Sequence, residues 1–232
     1  MRPDSAVLDA AGGVAIFLGA ESPLTLAIGM GLNGPVREAE LAEIEAFFRS
    51  RGAPVSFELA PLAHPDFIQA LTDRGYRITE FNNAMVRRLQ HYNIAFTPRV
   101  RRALPGEDDV WAHTLGHGFF ENSELTEEEM DVGRDLFRTP GALAYFASID
   151  GETAAGAALF IRDGLATLCA DGAVPHFRRR GLQSELILAR LNEAAARGCD
   201  LATASTAPGS LSQRNYERLG FQVAYTKLTL KG

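Results

Sequence analysis

The segment Val174-Pro-His-Phe-Arg178-Arg179-Arg180-Gly181-Leu182-Gln183-Ser184 holds the densest group of residues able to do chemistry. It follows an apolar run and opens an amphipathic one, which places it at the start of a helix. The first turn of a helix carries N–H groups without intrahelical partners and the positive end of the helix dipole. Gly181 lets the backbone approach a ligand closely, and Arg178, Arg179 and Arg180 stand just before it. A phosphate or pyrophosphate suits such a turn. A solvated basic turn is the other reading of the same residues. The segment lacks both G-x-x-x-x-G-K-S/T and G-x-G-x-x-G, so it is neither a Walker loop nor a dinucleotide fingerprint.

A second group, Ser212-Gln-Arg-Asn215-Tyr216-Glu-Arg-Leu-Gly220-Phe221, follows roughly 30 residues later. Between Leu165 and Val174 the only carboxylate is Asp171. His113 and His117 stand i,i+4, a spacing that also suits zinc, but no third ligand is evident and no metal is expected. Glu121, Glu124, Glu127, Glu128, Glu129 and Asp131 form an acidic cluster. It reads either as an attraction for a cationic amine or as a solvated helix N-terminus favoured by its dipole.

The elements that must position these residues alternate between strand and helix. Apolar runs at 13–19, 24–32 and 55–59 read as strands, and 37–51 reads as a helix with Leu41, Ile44, Phe47 and Phe48 on one stripe. A short helix at 65–74 and a strand at 76–89 follow. A new unit begins near Tyr92, with a strand at 99–104 and a helix at 107–120. Thr126 and Glu129 form a capping box for the next helix. Strands at 142–149, up to 161 and at 165–174 are joined by the hairpin signals Asp150-Gly151 and Asp163-Gly164. The helix at 180–197 buries Ile187, Leu188, Leu191, Ala194 and Ala195. A strand at 200–206, a helix at 212–219 and a strand at 222–230 complete the chain.

The pattern helix, Gly, strand, helix, Gly, aromatic occurs twice. Gly52 and Gly198 lie 146 residues apart, and Gly75 and Gly220 lie 145 apart. This reads as divergent duplication of one α/β unit. At the equivalent offset the first half carries Leu32-Asn33-Gly34-Pro35 in place of the arginine–glycine motif, and Leu71 in place of Tyr216. The expected domains are 1–92, a degenerate half that completes the sheet or walls a pocket, and 93–232, the complete one.

Arg178-x-x-Gly181 after Val-Pro, then a strand, then Tyr-x-x-x-Gly-Phe, resembles the GNAT superfamily of acyl-CoA N-acyltransferases over residues 95–232. The resemblance implies an α/β (α+β) tandem GNAT-like fold with a mixed central sheet flanked by helices. It implies that the N–H groups of Arg179, Arg180, Gly181, Gln183 and Ser184 hold the pyrophosphate of acetyl-CoA, helped by the charge of Arg178 to Arg180. Val174 pairs through its main chain with the pantetheine amides. Gln183 stands where the family usually has Gly or Ala, so its side chain must turn away from the phosphates. Tyr216 matches the family's general acid, because a tyrosine near pKa 10 at hydrogen-bond distance protonates a thiolate whose conjugate thiol is near 8.5. Asn215 either hydrogen-bonds the cofactor or caps local backbone.

The implied reaction moves an acetyl group from acetyl-CoA directly to a primary amine of a small molecule or peptide, with no metal. The alternative is a catalytically inactive acyl-CoA-binding or regulatory module. Many family members use a glutamate base on the strand that here offers only Asp171. If water is the only base, weakly basic amines are the easier substrates. Neutralising an alkylamine of pKa about 10.4 at pH 7 takes roughly 4–5 kcal/mol, and an α-amine near 7.8 about 1.

Composition narrows the partners. A net charge of −6 and a pI of 5.4 disfavour a nucleic-acid partner. No apolar run approaches the length of a membrane span, and the two cysteines, Cys169 and Cys199, read as small buried hydrophobes of a reducing compartment. The expected location is cytoplasmic, with no membrane partner and with a homodimer left open.

Overall fold

The computed structural model describes residues 4–90, 93–120 and 124–232. Tyr92, where the sequence marks a new unit, and Glu121 of the acidic cluster lie outside the described residues. The chain forms two compact units, Met1–Asn83 with Tyr225–Gly232, and Ala84–Ala224. The first thus ends nine residues before the division drawn from the sequence and takes in the last segment of the chain.

The first unit contains β1 (Ala6–Ala10), β2 (Gly13–Phe17), β3 (Leu26–Ile28), α1 (Glu38–Arg49), β4 (Ser56–Leu59) and α2 (Pro65–Asp73), together with parts of β5 (Arg77–Arg88) and β11 (Gln222–Lys231). Its strands run β1-β2-β3-β4-β11-β5. β1, β2 and β3 pair antiparallel, β3 and β4 parallel, and β4 and β11 antiparallel. Leu41, Ile44 and Phe48 of the expected stripe are buried, while Phe47 is half-buried and meets Phe48 edge-on. Phe57 centres the core, with edge contacts to Phe67 and Tyr76 at 5.6 and 5.3 Å.

Two departures from the sequence reading have local causes. β1 was not expected, because its hairpin turns on Ala11 and Gly12, with φ of 50° and 77°, and alanine gives no hairpin signal. The apolar run at 24–32 is a strand only over Leu26–Ile28, since Gly29 and Gly31 turn the chain through the left-handed region.

The second unit contains β6 (Val100–Arg102), α3 (Asp108–Phe119), α4 (Glu127–Arg138), β7 (Leu143–Ile149), β8 (Glu152–Arg162), β9 (Leu165–Ala173), α5 (Leu182–Ala196), β10 (Leu201–Thr206) and α6 (Leu211–Arg218). The strand order is β5-β10-β9-β8-β7-β6. β6 to β9 form an antiparallel meander, and β10 lies parallel to β9. Asp150 and Asp163, with φ of 52° and 50°, occupy the two expected Asp-Gly turns.

Alternation along β7 divides the unit into layers. Tyr145 faces the core shared with Leu182, Leu186, Ile187 and Leu191 of α5, while Ala144 and Phe146 pack with Trp111 and Leu115 of α3. Trp111 Nε1 donates to Tyr145 O at 3.1 Å. α3 approaches β9 so closely that a Cβ on Gly118 would lie 2.7 Å from both Ala173 N and Gly172 Cα. Alanine normally gains about 1 kcal/mol over glycine inside a helix, but overpacking against backbone costs typically 1–3 kcal/mol. Gly118→Ala is therefore expected to lower the urea midpoint of unfolding. An unchanged or raised midpoint would show that α3 has room to move off the strand.

Candidate active site

β9 and β10 pair only from Leu165–Leu201 to Leu168–Ala204. Beyond that point β9 continues to Ala173 while β10 ends at Thr206, and the sheet opens between them. A bulge marks the divergence. Gly156 pairs with Gly172 and Ala158 with Cys169, so Ala157 of β8 faces both Ala170 and Asp171. Ala170 takes a φ of 57°, in the left-handed region that alanine avoids. Bulges of this kind bend a strand and re-aim its side chains.

The opening is a cleft of about 940 Å³. One wall is the end of β9, from Asp171 to Ala173, continuing into the loop and first turn of α5; the other runs from Ala207 to Asn215 and Arg218. A single 3₁₀ turn, Pro175–Phe177, carries the chain from β9 toward α5. Arg179 and Gly181 follow with φ of 63° and 79°. Two left-handed residues so close make a tight loop, and the strain at Arg179 is of the kind found at ligand sites. The first bond of α5 runs from Glu185 N to Gly181 O at 3.2 Å, so the N–H groups of Leu182, Gln183 and Ser184 have no carbonyl four residues back within the helix.

The side chains of the arginine run have different surroundings. Arg178 is a brace: Nε donates to Ala173 O at 3.2 Å and Nη2 to Gly118 O at 3.0 Å, tying α3 to the end of β9. Arg179 is exposed on the cleft wall. Arg180 lies off the wall, its guanidinium 5.6 Å from the Phe177 ring centroid. Gln183 turns toward α6, where Nε2 donates to Ser212 Oγ at 2.8 Å and Oε1 accepts from Asn215 Nδ2 at 2.7 Å. Asn215 Oδ1 in turn accepts from Arg218 Nη1 at 3.0 Å. Gly181, Gln183, Ser184 and Asn215 all line the cleft, and Val174 lies outside it.

Tyr216 is in a different environment from that of an acid at the cleft surface. Its side chain is 1% exposed and off the wall, and its hydroxyl donates to Asp171 Oδ2 at 2.6 Å. Burial first, and then the Asp171 charge, push its pKa well above the usual 10. A hydroxyl so placed is a poor proton donor, which counts against the role the resemblance assigns to it.

Sequence reasoning missed Arg190. It has no exposed surface, yet it carries a guanidinium. Nε donates to Leu186 O at 3.0 Å, Nη1 to Ala158 O at 2.9 Å and to Cys169 O at 3.1 Å, and Nη2 to Asp171 Oδ1. Burial disfavours its charge, but Asp171 and Tyr216 outweigh that and hold its pKa above the ordinary value. The signal was present: Arg190 interrupts the apolar stripe of Leu186, Ile187, Leu191 and Ala194. Arg99 was also missed. Its Nε and Nη2 reach Glu185 Oε1 at 2.9 and 2.6 Å, offsetting an acidic charge in the first turn of α5.

The remaining candidates are otherwise engaged. His113 and His117 meet each other, Nε2 to Nε2 at 3.1 Å, and no group of three or more metal-ligating side chains converges among the described residues. Glu127 and Asp131 bond Arg134, and Glu129 caps Thr126. Three of the five described members of the acidic cluster are thus committed to the helix they begin.

Residues 110–221 match the acetyltransferase (GNAT) family. None of the curated proteins matches the chain. Among solved structures, a GCN5-related N-acetyltransferase from Kribbella flavida is similar, with a TM-score of 0.73 and 20% identity over 98% of this chain and 89% of that one. One from Sphaerobacter thermophilus has a TM-score of 0.64 and 14% identity over 98% and 75%. A tandem GNAT protein from the clavulanic acid biosynthesis pathway has a TM-score of 0.63 and 14% identity over 100% and 84%. The split strands, the left-handed loop and the helix they feed therefore lie within residues 110–221, the stretch that matches the GNAT acetyltransferase family.

Proposed function

We propose that the protein transfers an acetyl group from acetyl-CoA to a primary amine of a small molecule or peptide. The observation that carries this reading is the cleft between β9 and β10, which ends on the strained loop and open first turn of α5. The N–H groups there, from Arg179 to Ser184, suit the pyrophosphate, and Arg179 and Arg218 add charge at the cleft wall. The donor supplies a thioester carbonyl and a thiolate leaving group. Backbone N–H groups near the end of β9 are the protein's means of polarising that carbonyl. Asp171 is the acidic side chain on the wall and offers the attacking amine a hydrogen-bond acceptor.

The first unit is a degenerate copy without a donor site in this reading. Support comes from the start of α1, where Glu40 accepts from Arg37 N and Arg37 Nη2, each at 2.9 Å. A carboxylate of the chain itself occupies the place an anion would take. Cys169 and Cys199 are free, in keeping with a reducing compartment, and we place the protein in the cytoplasm. Among the described residues no helix is long and apolar enough to cross a membrane.

A second reading, an acyl-CoA-binding module without turnover, is favoured by the engagement of Tyr216 with Asp171.

Isothermal titration with acetyl-CoA tests the donor site. One equivalent is expected to bind per chain, and Arg179→Glu to weaken it at least tenfold, about 1.4 kcal/mol. Binding indifferent to Arg179→Glu would move the site elsewhere, and two equivalents would give the first unit a site of its own. Thiol release separates enzyme from binder. Tyr216→Phe is expected to lower kcat by removing one hydrogen bond from Asp171 while acetyl-CoA affinity stays within about twofold, whereas a pure binder shows no thiol release in either form.

A further inference from the structure

Asp171 is held by hydrogen bonds at both carboxylate oxygens. Oδ1 accepts from Arg190 Nη2, and Oδ2 accepts from Tyr216 at 2.6 Å and from Arg190 Nη1 at 3.4 Å. A carboxylate has about four lone-pair sites, so one remains for a donor in the cleft. Accepting a proton is a different matter. It would cancel the charge that opposes a guanidinium with no access to water, and an unpaired buried charge is far more costly than a paired one.

The other groups around Asp171 offer no substitute. α5 presents Arg190 and α6 presents Tyr216, while β9 itself adds Cys169, whose thiol is pushed up by burial. β8 supplies only Ala155 to Ala158 along the paired stretch. The loop contributes Arg178 and Arg179 to the same wall. On α3, packed on β9, His113 and His117 face one another.

We infer that Asp171 is a fixed hydrogen-bond acceptor for the attacking amine and not its proton acceptor, that Arg190 is the positioning residue that keeps it so, and that the acceptors are amines with an appreciable neutral fraction at neutral pH. Weakly basic α-amino groups, aryl amines and hydrazides belong to this class; lysine side chains and polyamines do not. The inference rests on the acetyltransfer reading above. In the reaction the N–C bond forms and the C–S bond breaks. One proton leaves nitrogen to water and one reaches the thiolate sulfur from water, so the protein ends with the ionisation it began with.

The test is thiol release from acetyl-CoA across pH 5.5–9.5 with an acyl hydrazide, an α-amino amide and an alkylamine. In the wild type the acid limb of kcat/KM is expected to follow the acceptor, and the alkylamine to lose about tenfold for each unit its pKa lies above the assay pH. In Arg190→Met a second limb should appear at a pH that does not depend on the acceptor, because Asp171 is then free to titrate. Arg190→Gln, which also removes the charge, provides the same readout if the methionine variant does not fold, and acetyl-CoA affinity checks both. A wild-type limb that stays at one pH for every acceptor, or variant profiles that overlay the wild type, overturns the inference. No thiol release with any amine, while acetyl-CoA still binds, overturns the acetyltransfer reading and this inference with it.

Discussion

A single buried guanidinium organises the second unit. Arg190 projects from α5 onto the bulge of β9, where it bonds the carbonyls of Ala158 and Cys169 and the carboxylate of Asp171. Those carbonyls lie where the antiparallel ladder is interrupted. Left unbonded in the interior they would carry a desolvation penalty of about 1–3 kcal/mol each. Arg190 thus satisfies the irregular strand that a regular sheet could not, and Asp171 balances the charge that this requires. Helix, bulge and carboxylate form one electrostatic unit, with Tyr216 from α6 closing it.

The cleft follows from this arrangement. A bulged β9 cannot keep register with β10 beyond Leu168, so the strands separate and the space between them leads to the start of α5. α3 covers the other side through Gly118 and Gly172, whose missing side chains allow helix and strand to meet at backbone distance. Arg178 then fastens the end of α3 to the end of β9. The left-handed residues Ala170 and Arg179 flank the segment in which all of this occurs. Local strain is concentrated where the cleft is built and is held there by the packing around it.

Much of this was legible in the residue order, and what was not has identifiable causes. The Asp-Gly turns, the Thr126–Glu129 capping box and the glycine opening α5 are local signals, and each sits where it was read. The hairpin at Ala11-Gly12 lacks such a signal, and the apolar run at 24–32 conceals that Gly29 and Gly31 cut β3 short. The bulge at Ala170 leaves no local signal, because the guanidinium that bonds the carbonyls beside it belongs to Arg190, 20 residues away in sequence. Pattern reading assigns a charged residue to the surface, and here the charge lies inside because a partner from another element meets it. The same applies to Tyr216, whose type suggests an acid but whose burial and bond to Asp171 give it a holding role. Gln183 shows the converse: its size indicated that it must turn from the loop, and its amide reaches Ser212 and Asn215 on α6.

The dependence of the site on the buried pair is tested most directly by equilibrium unfolding of the wild type, Asp171→Asn, Arg190→Met and the double variant. Asp171→Asn strands a buried charge and should cost about 3–5 kcal/mol. Arg190→Met removes that charge, so the double variant should lose at least about 2 kcal/mol less than the sum of the single losses. Single losses that add to within about 0.5 kcal/mol would mean that the two residues act independently, and the bulge, the carboxylate and the helix would not be the single unit described here.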